Sequence, residues 1–220
     1  MISLKVAIFL AIGTVFMFIP ICIQSHWYGI KFWKRIVLAI CLTVCGTIGT
    51  YILFYLEVGK IGGISFYGAV FFVPVLFIAI SKLLKLPYGE LLSVCGPAEC
   101  IMLVIMKVQC FTSGCCAGRV LYYTDAGVPV NFPSQIVESA NALVLCVVLM
   151  IIAKKSKYRN TVYPWYMILY GITRFVLNIF RKEWVSTKMF MPIGNIWSIV
   201  SCIIGVGCLY YIIKHKKETA

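Results

Sequence analysis

Seven long apolar runs, joined by short polar links, dominate the chain and limit what it can fold into. A transmembrane helix needs about 20 mostly apolar residues to cross the hydrocarbon core of a bilayer. The runs that meet or approach this length cover residues 4–24, 36–56, 64–84, 89–108, 136–153, 161–180 and 193–213. Because they leave little of the 220 residues for a soluble part, we predict an all-α integral membrane protein with seven transmembrane helices in a single polytopic domain, residues 1–220.

The composition supports this prediction. The chain is 62% hydrophobic and 12% charged, whereas soluble domains carry about 25% charged residues. The first run has no basic segment beyond Lys5 and no small-residue cleavage site. We therefore interpret it as a retained span rather than a signal peptide.

The net charge of +13 indicates the orientation of the spans. In a soluble protein it would suggest a nucleic-acid partner, but in a membrane protein Lys and Arg collect in cytoplasmic loops. The links after the first, third and fifth runs and the C-terminal tail hold 12 of the 20 basic residues, against 7 at the other side. This bias predicts an N-terminus outside, a C-terminus in the cytoplasm and no nucleic-acid partner.

With that orientation, the polar stretches that carry distinctive residues gather at the outer leaflet. They are "GGISFYG" (62–68), "KVQCFTSGCCAGR" (107–119), "FPSQIVES" (132–139), "YGITRFVLNIFR" (170–181) and "PIGNIWS" (192–198). Both histidines, His26 and His215, fall on the cytoplasmic side by the same count. We therefore expect a site at the outer leaflet that uses no histidine.

Arg174 lies inside the sixth apolar run, seven positions before Arg181. A helix rising about 1.5 Å per residue would place it about 10 Å deeper in the membrane. An arginine at that depth costs several kcal/mol unless it pairs, reaches the interface or faces a wet cavity. Two interpretations stay open: an ion pair with an acid such as Glu138 or Glu99, or a clamp for an anionic lipid headgroup, whose phosphate a guanidinium binds at two points.

Other charged residues at this level bear on that choice. Lys107 and Arg119 fall close to it in the predicted topology and favour the headgroup clamp. Glu138, one turn inside the fifth run, is either the counter-ion of Arg174, which we prefer, or a proton acceptor. Glu99 lies deeper in the fourth run and indicates a polar cavity, because buried acids in membrane spans usually face one.

The segment "CFTSGCC" concentrates Cys110, Cys115 and Cys116 between glycines. Zinc and iron–sulfur sites usually have four ligands, and this spacing offers three with no histidine nearby, so the sequence predicts no metal site and no cofactor. The open alternatives are a disulfide from Cys110 to Cys115 or Cys116 in an oxidising compartment, a reactive thiolate beside Lys107 and Arg119, and close packing of small residues in a tight turn.

Taken in order, these motifs resemble the signatures of the prolipoprotein diacylglyceryl transferase family over roughly residues 33–213. The resemblance implies a bacterial inner-membrane enzyme with seven spans and its N-terminus outside. Such an enzyme moves a diacylglyceryl group from phosphatidylglycerol to the lipobox cysteine thiol of a secreted prolipoprotein and releases glycerol phosphate.

The resemblance also implies roles for individual residues. Arg174 corresponds to the essential arginine of the family's Y-G-x-x-R-F motif. The further matches are Gly118, which closes the signature loop, Gly63 and Gly68 of G-G-x-S-F-H-G, and Gln135 and Glu138 of H-P-S-Q-L-Y-E.

At several positions the chain departs from the family's pattern. Tyr67 stands where the family has its catalytic histidine, and Lys107 stands for the signature arginine. The other departures are Cys110 and Ser113 for two asparagines, Cys115 for a glutamate, and Asn178 for a second glutamate.

The sequence thus predicts a transferase that acts on phosphatidylglycerol or another anionic lipid and on a prolipoprotein lipobox. The predicted catalytic residues are Tyr67, Arg174 and Glu138, the lipid phosphate-binding residues are Lys107, Arg119, Arg174 and Gly118, and the thiol loop contains Cys110, Cys115 and Cys116. Of these roles, positioning of the phosphate is preferred for Tyr67. The alternatives are a diverged relative with thiol or redox chemistry at the cysteines, and a non-catalytic protein that binds anionic lipid.

Overall fold

The computed structural model describes residues 4–181 and 191–218, and helices form most of this part. Each helix falls on one of the seven apolar runs. The helices are α1 (Leu4–Trp27), α2 (Phe32–Val58), α3 (Tyr67–Leu84), α4 (Tyr88–Thr112), α5 (Ser134–Lys154), α6 (Val162–Asn178) and α7 (Ile193–Glu218), with a 3-10 helix at Ser156–Thr161. Within the described part of the chain, six helices, all except α6, are long and apolar enough to cross a membrane. The chain is therefore a multi-pass membrane protein.

Helix α6 is shorter than the sequence predicts. It has 17 residues, against about 20 for a full crossing, and it ends at Asn178 rather than continuing to residue 180. Its first predicted residue, Thr161, is instead the last residue of the 3-10 helix. A seventh span is thus not established by helix length.

A two-stranded hairpin interrupts the helical pattern between α4 and α5. Strand β1 (Val120–Tyr123) pairs antiparallel with β2 (Pro129–Asn131). This short hairpin is a local exception to the predicted all-α fold, which the helices otherwise confirm. Strand β1 contains Val120, Tyr122 and Tyr123, residue types that favour strands. Gly127, at φ 74°, allows the chain to reverse between the two strands.

Helix α4 lies at the centre of the described part, and 78% of its most apolar window is buried inside the protein. It packs against α1 and α5, while α2 packs against α3, and α6 against α7. Glycines allow α2 and α3 to approach closely, since a Cβ on Gly49 would lie 2.6 Å from the carbonyl oxygen of Gly68. Small residues at such contacts let helix backbones touch in membranes.

The helices alternate in direction, which brings the five distinctive polar stretches to one end of the bundle. Tyr67, at the start of α3, bonds through its phenol oxygen to Ser198 of α7 at 2.7 Å. Gly118 forms a β-bridge with Arg181, just beyond α6. The carbonyl of Thr50, in α2, accepts a hydrogen bond from the N–H of Ser65 at 3.1 Å. The predicted gathering of these stretches is confirmed, and this end is called the site end below.

Candidate functional site

A cluster of charged side chains lies at the site end. Glu138, one turn into α5, makes ion pairs with Lys107 of α4 and Arg174 of α6. Arg181 follows, with its Nε 4.0 Å from the other carboxylate oxygen of Glu138. Only 4% of the Glu138 side chain is exposed. Of the two acids that the sequence offers as counter-ions of Arg174, the structure pairs it with Glu138 and not with Glu99.

Arg174 and Arg181 lie seven positions apart in the chain, and both reach the same carboxylate. Helix α6 ends between them, at Asn178. The chain then turns through Ile179 and Phe180, whose N–H groups bond to carbonyls three residues earlier.

These cations form one wall of a cavity that opens between the helices. Lys107, Arg174 and Arg181 line it together with the carboxyl group of Glu99. The remaining lining is mainly apolar and comes from α1, α2, α4 and the residues entering α3, among them Leu10, Leu42, Gly46, Phe66, Ala69, Met102 and Leu103. The cavity thus has a mainly apolar lining with an excess of positive charge at one end. This combination suits an amphiphile with an anionic head.

The thiols of the cysteine loop lie close together at the edge of the charged part of the site, and two of the three residues line the cavity. The sulfur atoms of Cys110, Cys115 and Cys116 lie within 4.8 Å of one another, and all three are free thiols. Cys110 and Cys116 line the cavity, and both Cys115 and Cys116 are exposed. The disulfide considered from the sequence is not formed in this structure.

Hydrogen bonds from α5 hold the backbone of this loop. Ser134 Oγ donates to the carbonyl of Cys116, and Gln135 Nε2 donates to the carbonyl of Cys115, both at 2.6 Å. The N–H of Cys115 donates to the carbonyl of Cys110 at 3.0 Å. Two consecutive cysteines are therefore fixed by the first turn of the helix that carries Glu138.

Cys116 has an unusual backbone and an acidified thiol. Its φ is 60°, a left-handed conformation that costs a residue with a side chain about 1–3 kcal/mol and persists where the surroundings enforce it. A hydrogen bond from the Cys110 thiol, followed by the positive charges of Lys107 and Arg181, lowers the pKa of the Cys116 thiol. By contrast, burial raises the pKa of Cys115.

Tyr67 is not among the described residues that line the cavity. It is buried, with 4% of its surface exposed, and its hydroxyl group is engaged with Ser198. Its ring packs 5.3 Å from that of Tyr170. Tyr67 thus joins the start of α3 to α6 and α7.

Two predicted phosphate-binding residues also lie apart from the cationic wall. The guanidinium of Arg119 lies over the ring of Phe180, 5.2 Å from its centroid, and Arg119 does not line the cavity. The N–H of Gly118 donates to the carbonyl of Phe132 at 3.0 Å. A Cβ on Gly118 would lie 2.5 Å from that oxygen, so the glycine permits close packing where the loop meets the segment before α5.

Glu99 occupies the deeper part of the cavity, as the sequence indicates. One of its oxygens accepts a hydrogen bond from Tyr163 at 3.2 Å, and the residue is 4% exposed. Neither His26 nor His215 is among the described residues that line the cavity.

Sequence reasoning missed Arg181 as a member of the site. A basic residue after an apolar segment usually marks the membrane interface, so the sequence indicates only the end of the sixth run at this position. In the structure, Arg181 follows the turn at residues 179–180, and its Nε lies 4.0 Å from a carboxylate oxygen of Glu138. A closely spaced second arginine after Arg174 was the available signal.

Comparison with known proteins agrees with the motifs. The profile of the family described as prolipoprotein diacylglyceryl transferase matches residues 5–211. A phosphatidylglycerol–prolipoprotein diacylglyceryl transferase of Geobacter sulfurreducens is 28% identical over 164 residues, covering 66% of this chain and 62% of that protein. The enzyme of the same name from Acinetobacter baumannii strain SDF is 25% identical over 170 residues, with 70% and 62% covered. A Clostridium perfringens protein, numbered 2 under this name, is 29% identical over 126 residues, with 51% and 48% covered. The chain thus spans less than two thirds of the length of these relatives.

Proposed function

Because the chain belongs to the prolipoprotein diacylglyceryl transferase family, we propose that it moves a diacylglyceryl group from phosphatidylglycerol to the cysteine thiol of a prolipoprotein. The observation that carries this proposal is the cavity wall formed by Lys107, Arg174 and Arg181. A diacylglyceryl group fits the apolar part of the cavity, and the phosphate fits the cationic end.

In this reaction the acceptor sulfur attacks C3 of the lipid glycerol, and the bond from C3 to the phosphate oxygen breaks. Glycerol phosphate then leaves with the electron pair of that bond. Cations aimed at the phosphate stabilise the negative charge that develops on it in the transition state. Arg174 contributes most because a guanidinium binds two phosphate oxygens at once.

Glu138 and Tyr67 act by positioning in this proposal. The carboxylate of Glu138 holds Lys107 and Arg174 in place, and with two cations bound to it, it is a poor proton acceptor. Tyr67 fixes the start of α3 against Ser198 and so supports the wall that contains Phe66. The remaining need is a group that removes the proton of the acceptor thiol.

We also propose that residues 1–220 form one polytopic domain in a bacterial inner membrane, with α6 as a seventh span and the site end outside. The support is the distribution of basic residues, which are fewer at the site end. Cys115 is exposed at that end. A membrane-impermeant maleimide should therefore label Cys115 in intact cells, in a variant whose other cysteines are serine. Labelling only after the cells are opened would reverse the orientation.

The test of function uses purified protein in phosphatidylglycerol vesicles with a fluorescent lipobox peptide, and the product is detected by its shift on a gel. Wild-type protein should lipidate the peptide, and Arg174→Ala should lose this activity. Lys60→Ala is the matched control, because Lys60 is an exposed cation beyond α2 that does not line the cavity.

The alternatives give different results in the same assay. Bound phosphatidylglycerol without lipidation, in wild-type protein, would end the enzymatic proposal and leave a lipid-binding protein. Loss of lipidation in Lys60→Ala as well as Arg174→Ala would remove the assignment of the phosphate to the cavity wall. Tyr67→Phe should retain most activity if the phenol only supports the packing of α3.

A further inference from the structure

We propose that Cys110, Cys115 and Cys116 hold a zinc ion whose open fourth position binds the acceptor thiol. This inference rests on the proposed function, for which it supplies the missing group that activates the thiol. The starting observation is that three sulfur atoms from positions up to six apart in the sequence lie within 4.8 Å of one another.

The distances fit zinc. Two thiolates on a tetrahedral zinc ion, each bonded at about 2.3 Å, are about 3.8 Å apart. The three sulfurs thus need to close by about 1 Å or less, which side-chain rotation allows. Three sulfur ligands and a tetrahedral geometry favour zinc over magnesium and calcium, which prefer oxygen.

The count of three ligands is informative. Structural zinc sites are closed by four protein ligands, whereas catalytic sites have three and keep the fourth position open for water or substrate. The cysteine spacing offers no fourth ligand, and for a closed structural site this counts against a metal. A catalytic zinc site, however, requires this open position. The described residues place no histidine near the three thiols to close the site.

The loop is held in place before any metal binds. The carbonyls of Cys115 and Cys116 are fixed by Gln135 and Ser134, and Cys116 is kept in its left-handed conformation. Contacts of this kind orient metal ligands and are worth about 10–100-fold in metal affinity.

The surrounding charge also suits the site. Three thiolates and one Zn²⁺ carry a net charge of −1, and the cations Lys107, Arg174 and Arg181 line the same cavity as Cys110 and Cys116. A zinc–thiolate group there would therefore lie beside the phosphate-binding wall. Cys115 is exposed, which leaves the site accessible to an acceptor peptide.

The chemical step then balances without an oxidant. The acceptor R–SH binds zinc and loses its proton to water, because a coordinated thiol is deprotonated outright. The zinc-bound sulfur forms the S–C bond to C3 of the lipid glycerol, and the C–O bond breaks toward the phosphate. Zinc keeps its oxidation state throughout.

Zinc binding is measured first, because it does not depend on activity. Reduced, metal-free protein in lipid nanodiscs is titrated with zinc against a chromophoric chelator, and with cobalt to detect thiolate-to-metal charge transfer. We expect wild-type protein to bind equimolar zinc and to show the charge-transfer band. Cys115→Ser and Cys116→Ser should lose both, and Cys208→Ser, an exposed thiol of α7, should keep both.

Lipidation of the peptide is then measured with and without zinc. We expect the chelated wild-type protein to be inactive and added zinc to restore its activity. No zinc uptake by reduced wild-type protein, or equal uptake by the two loop variants, would overturn the site. Lipidation by chelated protein would overturn the role of zinc and leave the proposed function intact. Cysteine-dependent zinc binding with no lipidation would end the proposed function while the metal site remains.

Discussion

Glu138 holds the charged cluster together, because its carboxylate is the shared partner of Lys107 and Arg174. Removing one partner of a buried ion pair costs about 3–5 kcal/mol, since the remaining charges lose their compensation. We expect Glu138→Ala to lower the midpoint of thermal unfolding in nanodiscs strongly. Glu57→Ala is the control, because Glu57 accepts a hydrogen bond from Ser65, an interaction worth about 1 kcal/mol. Equal midpoints for the two variants would show that the cluster does not stabilise the fold.

A substitution at Arg174 tests whether the proposed phosphate contact depends on the geometry of the guanidinium or only on its positive charge. Arg174→Lys keeps the positive charge but loses the planar fork that binds two oxygens. The loss of one charge-assisted hydrogen bond, about 1.5 kcal/mol, corresponds to about tenfold weaker binding. This is measured by titrating phosphatidylglycerol into detergent-solubilised protein. Binding equal to that of the wild type would show that Arg174 acts only through its charge.

The sequence predicts part of this cluster but not all of it. The pair of Arg174 and Glu138 follows from the cost of an isolated charge in a span, which requires a partner. The place of Arg181 does not follow, because it depends on a turn at residues 179–180 that hydropathy cannot reveal. The motif predicts Tyr67 as a catalytic residue that positions the phosphate, whereas its hydroxyl group bonds to Ser198, which is 131 residues away in the chain.

At the scale of helices, the contact of α2 with α3 depends on two glycines. A Cβ on Gly49 would lie 2.6 Å from the carbonyl oxygen of Gly68, so a larger side chain must force the helices apart. We expect Gly49→Leu to lower the unfolding midpoint and reduce lipid binding. Gly207→Ala is the matched helical control, because nothing lies within 4 Å of a Cβ there. Wild-type stability in Gly49→Leu would contradict the close approach.

The first turn of α5 should control the cysteine loop. Ser134→Ala removes the hydrogen bond to the carbonyl of Cys116 and should weaken zinc binding about 10–100-fold, as loss of a supporting contact usually does. Ser139→Ala serves as the control, because Ser139 bonds only to the carbonyl of Gln135 within its own helix. An unchanged zinc affinity in Ser134→Ala would mean that this contact does not hold the loop in its binding conformation.

Hydropathy predicts these elements unevenly. Long apolar runs specify α1 to α5 and α7, since a lipid-exposed backbone must satisfy its own hydrogen bonds and a helix does so. Residues 120–131 lie outside the runs, and their pairing into a hairpin depends on the turn at Gly127. Local residue preferences favour a strand at β1, but its partner is set by the tertiary fold.

At the scale of the whole molecule, the helices pack around α4 into a bundle. This bundle is apolar along most of its length and charged at one end. The cavity follows the same arrangement, with its apolar lining between the helices and its cations at the site end. This asymmetry matches the apolar tails and the anionic head of the lipid proposed as substrate. The sequence predicts it through topology, because alternating spans bring every second link to the same end.

The short length of α6, the proposed seventh span, has a consequence for the surrounding lipid. At about 1.5 Å per residue, its 17 residues span about 26 Å, a few ångströms less than the hydrocarbon thickness of about 30 Å. Bilayers adapt to a short span by becoming locally thinner, at a small free-energy cost per ångström. Arg174 lies four residues before the end of α6, so a thinner membrane brings headgroups toward it.

We therefore expect lipidation to be faster in nanodiscs of short-chain lipids than in those of long-chain lipids, at equal phosphatidylglycerol content. Equal rates in both would mean that α6 does not deform the membrane. If the difference is found, the length of one helix makes lipoprotein modification sensitive to membrane thickness, and cells that remodel their acyl chains would alter its rate without any change in the enzyme.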